Sequence, residues 1–451
     1  MVSIALHRFS LILGACIASA LSLGVLLLIL RPALPPPSPA AILPATETVA
    51  LFPSITEERL QDFAGLFPML AGLPASETPL ALLTYSCGEG CTDTGWALFH
   101  DEEVEGGEKV GSWHVRASSP DVMALLSDTG TGRLLNARPF QTAVHDRASD
   151  VYLSPQFLPR SSNLEDQLLH TLLQGSTALA LGETQSGWTL AINGAASPLS
   201  QSVATNVQVQ TDIALTASIG DARRLWQFLE DAIEPGQRSI LSSLVSTTVE
   251  RTLGPDVSFT YDVLPLLQKP VVLVATSGSG VTFAIEGSMD DRTVMAETLT
   301  RLQESMRRHL SQMMTVARTF DNRFPSVLLK QETSLLEIRE GEEEDWSLIE
   351  ISHRETGEGL VTARSGDRYA IGNDADLLRR VLRGEGVRVS FAPGTRATLA
   401  GGQVDLAELQ AVITETPWKR ALFGPVLRYR GPLTWSVTRS GDRTVVSFEK
   451  L

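Results

Sequence analysis

One phrase returns four times in this chain: a short apolar strand, a polar step, a helical stretch, then two apolar strands around a turn. The strand pair is the clearest part. Ala178 to Gly194 (ALALGETQSGWTLAING) lies over Val271 to Gly287 (VVLVATSGSGVTFAIEG), and Leu433 to Glu449 (LTWSVTRSGDRTVVSFE) is a third copy. A fourth, with an insertion, runs from Leu80 to His100. Apolar runs flanking a Gly/Ser turn specify β-hairpins. The leading strand and helix begin near Thr48, Val151, Asp212 and Thr395, with Ser54, Ser218 and the run Ser161 to Asn163 as expected helix caps. A further element occurs twice, at Trp113–Leu126 and Arg368–Leu382: a strand, a Ser or Asx cap, and a helix.

A phrase repeated in this way predicts an α+β fold: strand–helix–hairpin units forming mainly antiparallel sheets, with helices on one face. A boundary near residue 206 divides the body into modules 46–206 and 207–451. Trp188, Phe283 and Trp435 are expected at related sites after their turns, with Trp96 joining them. Residues 290–320 carry Val294, Met295, Leu299, Leu302, Met306, Leu310, Met313 and Ala317, a stripe that predicts one helix with methionine as core filling.

Ahead of the body, Phe9 to Leu30 contains 22 residues without a charge. At about 1.5 Å rise per residue this run spans the roughly 30 Å hydrocarbon core of a bilayer, with its backbone satisfied internally. The expectation is one transmembrane helix at 9–30, a stub at 1–8 and a Pro-rich spacer at 31–45 (RPALPPPSPAAILPA). Arg8 precedes the run, and no Lys or Arg follows Arg31 until Arg59. The positive-inside tendency then leaves the N-terminus cytoplasmic and the body extracytoplasmic. A signal peptide cleaved after Ala20 would leave a long apolar stub. Lipidation of Cys16, within Leu13-Gly14-Ala15-Cys16, would also keep the chain at a membrane.

Only Cys87 and Cys91 lie outside the apolar run. They bracket Gly88-Glu89-Gly90 at a hairpin tip, a spacing that suits a disulfide in an oxidising compartment. A net charge of −15 without a basic stripe argues against nucleic acid as partner; the partners expected are the bilayer, through 9–30, and an envelope protein or ligand.

Several phrases resemble the bacterial DUF3352 family of predicted membrane-anchored or exported proteins. They are Asp262 to Leu267, the strand Pro270 to Ala275, Phe283 to Asp291 leading into a helix, Arg368 to Leu378, and Leu134 to Val144. The resemblance implies an anchored extracytoplasmic body and brings no catalytic residues.

No HExxH helix, phosphate loop, GxGxxG turn or GxSxG elbow is present. Ser277 to Gly280 reads as a hairpin turn, and His114 and His170 as structural or surface residues. Glu340 to Asp345 reads as a solvated acidic loop, and Asp290-Asp291 as a complement to a helix dipole. No catalytic, cofactor or metal residue is assigned. The reading is a noncatalytic binding or scaffolding protein at the cell envelope. The alternatives are an envelope hydrolase with a dispersed site and a transmembrane sensor.

Overall fold

A computed structural model describes residues 38–451, apart from 55, 76, 89–90, 129–131, 146–149, 156–163, 174, 195–205, 210–214, 277–281, 312–313, 322–323, 332–334, 385–386, 391–396 and 410–415. The apolar run 9–30 lies outside the described residues. Among those described, no helix is long and apolar enough to cross a membrane.

Each of the four phrases begins with a strand that pairs antiparallel with the first strand of its own hairpin, the helix being carried in the connection. In the first, β1 (Thr48–Phe52) leads through α1 (Glu57–Ala64) to β2 (Leu80–Gly88) and β3 (Cys91–His100). There follow β4 (Glu108–Val110), β5 (Trp113–Ala117), α2 (Pro120–Ser127) and α3 (Arg138–Ala143). The second has β6 (Val151–Leu153), α4 (Leu164–Leu173), β7 (Ala178–Thr184) and β8 (Gly187–Asn193). After β9 (Asn206–Val209), the third has β10 (Leu215–Ile219), α5 (Ala222–Ala232), α6 (Pro235–Leu253), β11 (Val271–Thr276) and β12 (Thr282–Ser288).

A long insertion comes next: α7 (Arg292–Ser311), the hairpin β13 (Met314–Asp321) and β14 (Phe324–Gln331), then β15 (Leu336–Glu343) and β16 (Trp346–His353). It leads to β17 (Gly359–Ser365), β18 (Arg368–Gly372), α8 (Ala375–Leu382) and β19 (Val387–Ser390). The fourth phrase has β20 (Ala397–Asp405), α9 (Leu406–Leu409), α10 (Pro417–Arg428), β21 (Pro432–Ser440) and β22 (Arg443–Lys450).

The ladders join 18 strands into one antiparallel sheet. Followed from neighbour to neighbour the order is 4-5-3-2-1-6-7-8-22-21-20-10-11-12-18-17-16-15. Units meet first strand to first strand twice, at β1–β6 and β10–β20. The halves meet through β8–β22, with Leu190 opposite Val446. Separately, β9 pairs antiparallel with β19.

Helices cover both faces, which corrects the one-face expectation. Along β7, Leu179 and Leu181 enter a core with Leu60 and Phe63 of α1 and Ala421 and Leu422 of α10. The alternate residues Ala178 and Ala180 enter another, with Val122 and Leu126 of α2 and Phe140 of α3. The second half repeats this, with Tyr369 and Ile371 under α7 and Ala370 under α8. The reason is in the strands: all five residues of β1 are buried, as in a sheet sandwiched between helices rather than one facing water. Each fully buried Leu or Phe contributes roughly 1.5–3 kcal/mol.

Three other expectations change. The stripe beyond residue 290 is helical only to Ser311, burying Met295, Leu299, Leu302, Met306 and Leu310; Ala317 lies in β13, where Thr315, Val316 and Thr319 supply β-branched residues. The spacer does not run to Ala45, because Ala40 and Leu43 are fully buried among α2 and α3 residues and Arg133 Nη1 donates to Ile42 O at 2.6 Å. Trp435 precedes its turn, in β21, whereas Trp188, Phe283 and Trp96 follow theirs, because the fourth hairpin turns at Gly441 (φ 60°).

Candidate functional site

The charged joint between α1 and α10 is the most chemically loaded place among the described residues. Thr56, rather than Ser54, caps α1 by accepting from Arg59 N at 3.2 Å. The helix then presents Glu58 and Asp62, one turn apart, on one side. Asp62 is 2% exposed, yet lies against a helix whose sequence position is hundreds of residues away. Arg428 Nη1, at the end of α10, donates to Asp62 Oδ1 at 2.5 Å, and its Nη2 lies 3.4 Å from Glu58 Oε2. One turn earlier on α10 is Gly424. A Cβ there would stand 2.5 Å from the Asp62 carboxylate, so only glycine lets the two helices close on it.

Arg59 points the other way, to Glu183 at the end of β7, at 3.5 Å. Trp188 Nε1 donates to the same carboxylate at 3.3 Å. The Trp188 ring sits 5.9 Å from Tyr429, and Lys450 Nζ lies 4.6 Å from the indole centroid. Residues from three of the four units therefore meet here. A crevice beside them, lined by Phe52, Arg59, Leu60, Leu70 and Leu80, is too tight for a water molecule.

The electrostatics follow from burial. Asp62 Oδ2 is buried without a hydrogen-bond partner. Desolvation raises the Asp62 pKa above its ordinary value, with the Arg428 hydrogen bond and charge and Arg59 opposing. Desolvation lowers the pKa of Arg59, with Glu183 as the main opposing charge. The joint therefore holds one buried carboxylate, gripped on one oxygen and bare on the other.

The residues singled out from sequence are dispersed. Cys91 opens β3 and is disulfide-bonded; the backbone of Cys87 is in β2, and its side chain lies outside the described residues. Cys16 and Ser277 to Gly280 also lie outside them. His114 is half-buried in β5 and stands opposite His100 across the ladder; His170 is half-buried in α4. Asp291 Oδ1 accepts from Thr293 N and Val294 N, capping α7, and Asp290 holds Lys269 at 2.5 Å.

The acidic run is not a loop. Glu340, Glu342 and Glu343 belong to strand β15, and only Glu344 and Asp345 turn into β16. Glu343 accepts from Arg383, the residue that ends α8, at 2.6 Å, a contact that lowers its pKa. Among the described residues, no group of three or more His, Cys, Asp or Glu side chains could hold a metal ion. Asp62, Glu183 and Arg428 carried no sequence signal, because their meeting depends on strands β8 and β22 pairing.

No family model, curated protein or solved structure matches the chain.

Proposed function

We propose that the chain is a noncatalytic binding or scaffolding protein, anchored in a membrane by Phe9–Leu30 and carrying its body, from residue 38 onward, outside the cytoplasm. One observation carries the scaffolding part. An unbroken row of 18 strands has helices over both faces, and α1 and α10 are tied across the central seam by Asp62–Arg428. That arrangement favours a stiff slab, which presents surfaces at fixed separation, over a hinged cleft. The anchored, extracytoplasmic placement draws on the apolar run, on its flanking charge, and on the phrases resembling DUF3352 proteins.

The four units are read as copies of one ancestral phrase, grouped into halves on either side of the β8–β22 ladder. The capping residues Ser119 and Asp374 are separated by the same number of positions as the turn glycines Gly111 and Gly366, both at φ 61°. The ladders agree: Ala97 faces Ala117 in the first half, and Ala284 faces Gly372 in the second.

A reporter active only outside the cytoplasm, fused after Ala45 of the full chain, is expected to be active; a cytoplasmic signal would overturn the placement. Crosslinking in intact cells followed by purification from solubilised membranes is expected to recover a stoichiometric envelope partner. A Cys87–Cys91 bond is expected in non-reducing mass spectrometry of protein from its native compartment, and two alkylatable thiols would remove it.

A further inference from the structure

The face of the sheet under α2 and α3 changes character as it crosses into the second half. Where the first two units meet, that face is apolar: Leu51 stands opposite Tyr152, and Phe140 of α3 packs edge-on to Tyr152 at 5.3 Å. The corresponding ladder of the second half puts Thr216 opposite Gln403 and Ser218 opposite Gly401. Alternation fixes the face. Val274, opposite Thr216, belongs to the core beneath α8, and Val445, two residues before Ser447, belongs to the core beneath α2 and α3.

The polar composition continues across the sheet. Gly401 faces Ser436, Ser436 faces Ser447, and Ser447 faces Thr189. In the next row Gln403 faces Thr434. A strand face in the middle of an 18-stranded sheet ordinarily carries Val, Ile or Leu. Here it carries hydroxyls, an amide and a glycine.

Exposure is graded along this floor. Thr216 is 1% exposed and Gln403 4%, whereas Ser436, Ser447 and Thr189 are only half-buried. At the buried end, Thr216 Oγ1 and Gln403 Oε1 have no hydrogen-bond partner although they are cross-strand neighbours. Buried polar atoms without partners call for an explanation, of which an absent ligand is one. Strand β9 runs against both β10 and β20. Their edges are already taken by β11, by β21 and by each other, so β9 adds no rung to the sheet.

We propose that this floor binds a neutral, polyhydroxylated ligand, a linear oligosaccharide, with Gln403 and Thr216 at its deep end and Ser436, Ser447 and Thr189 at its open end. The chemistry selects the class. An anion would need a cation on the floor, and the charges nearest in the ladders are carboxylates at its margins: Glu449 opposite Thr434, and Glu286, which is paired with Arg368 at 2.5 Å. An apolar ligand would leave the hydroxyls and the amide unpaired. A peptide strand is recognised through a free backbone edge, and every strand in these rows is paired on both sides. Sugar hydroxyls donate to an amide oxygen and exchange hydrogen bonds with Ser and Thr.

The inference deepens the binding part of the proposed function and rests on it. The test is isothermal titration of the full chain in detergent with the neutral sugars maltotetraose and cellotetraose, and with a neutral Ser/Gly peptide as control. Saturable binding of at least one sugar below about 1 mM is expected, weakened about tenfold or more by Gln403→Leu and by Ser436→Val. Gln403→Leu removes a buried amide whose oxygen lacks a partner, so it is expected to fold; Ser447→Val, at the open end, is the second check. Absence of sugar binding, equal binding by the variants, or binding of the peptide instead would overturn the proposal. If partner capture from membranes persists while sugar binding fails, this inference falls alone.

Discussion

Strands β4 and β17 hold the same place in their halves: each precedes a turn at a glycine with φ 61°, and each pairs with a strand that leads into a capped helix. Yet among the described residues the sheet ends at β4, a three-residue strand, while beyond β17 it continues through β16 to β15. The cores beneath show how this is possible. In the first half the position after the turn is Trp113, buried at 6.1 Å from Phe99. In the second half that position is Arg368, whose guanidinium lies 4.5 Å over Trp346, and Trp346 belongs to the added strand β16. One half closes its core with an indole of its own, and the other takes an indole from the insertion. Edge growth therefore needs one aromatic to change address, and the helices α2 and α8 keep their places.

The largest test of that comparison is to remove both indoles. Trp113→Ala and Trp346→Ala are each expected to cost about 4 kcal/mol in chemical denaturation, as for large-to-small changes in a packed core. A cost below about 1 kcal/mol for either would mean that the two rings do not play matching roles.

Next comes the joint between the halves. Arg428→Met leaves Asp62 buried without its partner and is expected to cost about 3 kcal/mol near neutral pH. The sign with pH is fixed by the direction of the Asp62 shift. Its folded-state pKa is raised, so the stability linked to its proton is fully present below the ordinary carboxylate value and is lost as pH rises through the raised value. The Arg428→Met defect is therefore expected to shrink on acidification, and Asp62→Asn to remove that part of the pH dependence. A defect that grows at low pH would contradict the buried-carboxylate account.

Smaller effects are expected from the matched caps. Ser119 accepts from Val122 N at 3.3 Å, and Asp374 accepts from Leu377 N at 2.7 Å. Ser119→Ala and Asp374→Ala should each cost about 1 kcal/mol, read by the same denaturation curves. The smallest effect on stability, and a visible one on association, is expected at the β15 edge. Glu340 and Glu342 are exposed there, and charges on an edge strand discourage pairing with another sheet. Glu340→Thr with Glu342→Thr should increase self-association in sedimentation, whereas Lys109→Thr in the short β4 should not.

The hairpins at 80–100, 177–194, 270–287 and 433–449 were legible because each turn sits between two short apolar runs. Coverage of both faces was readable too, from runs such as Thr48-Val49-Ala50-Leu51-Phe52 that do not alternate with polar residues; a half-exposed sheet would alternate. The end of α7 at Ser311 turned on β-branched residues beyond it, which the methionine stripe obscured. Asp62 and Arg428 could not be matched by local reasoning, since nothing near either residue records the ladder that brings them together. Thr216 and Gln403 were visible only as polar letters within apolar strands, and their pairing again needed the register.

The β8–β22 ladder has a consequence for how such a chain is made. The first half presents β8 as an open edge, and its proper neighbour lies in residues 443–450, the latest strand in sequence order. Until that strand is synthesised, a nascent chain carries a sheet margin able to accept the same margin of another nascent chain. Ala421 and Leu422, which fill the core above the first half, arrive equally late. Dense co-production of many copies is thus the circumstance in which this architecture is most exposed to pairing with a neighbour before it can pair with itself.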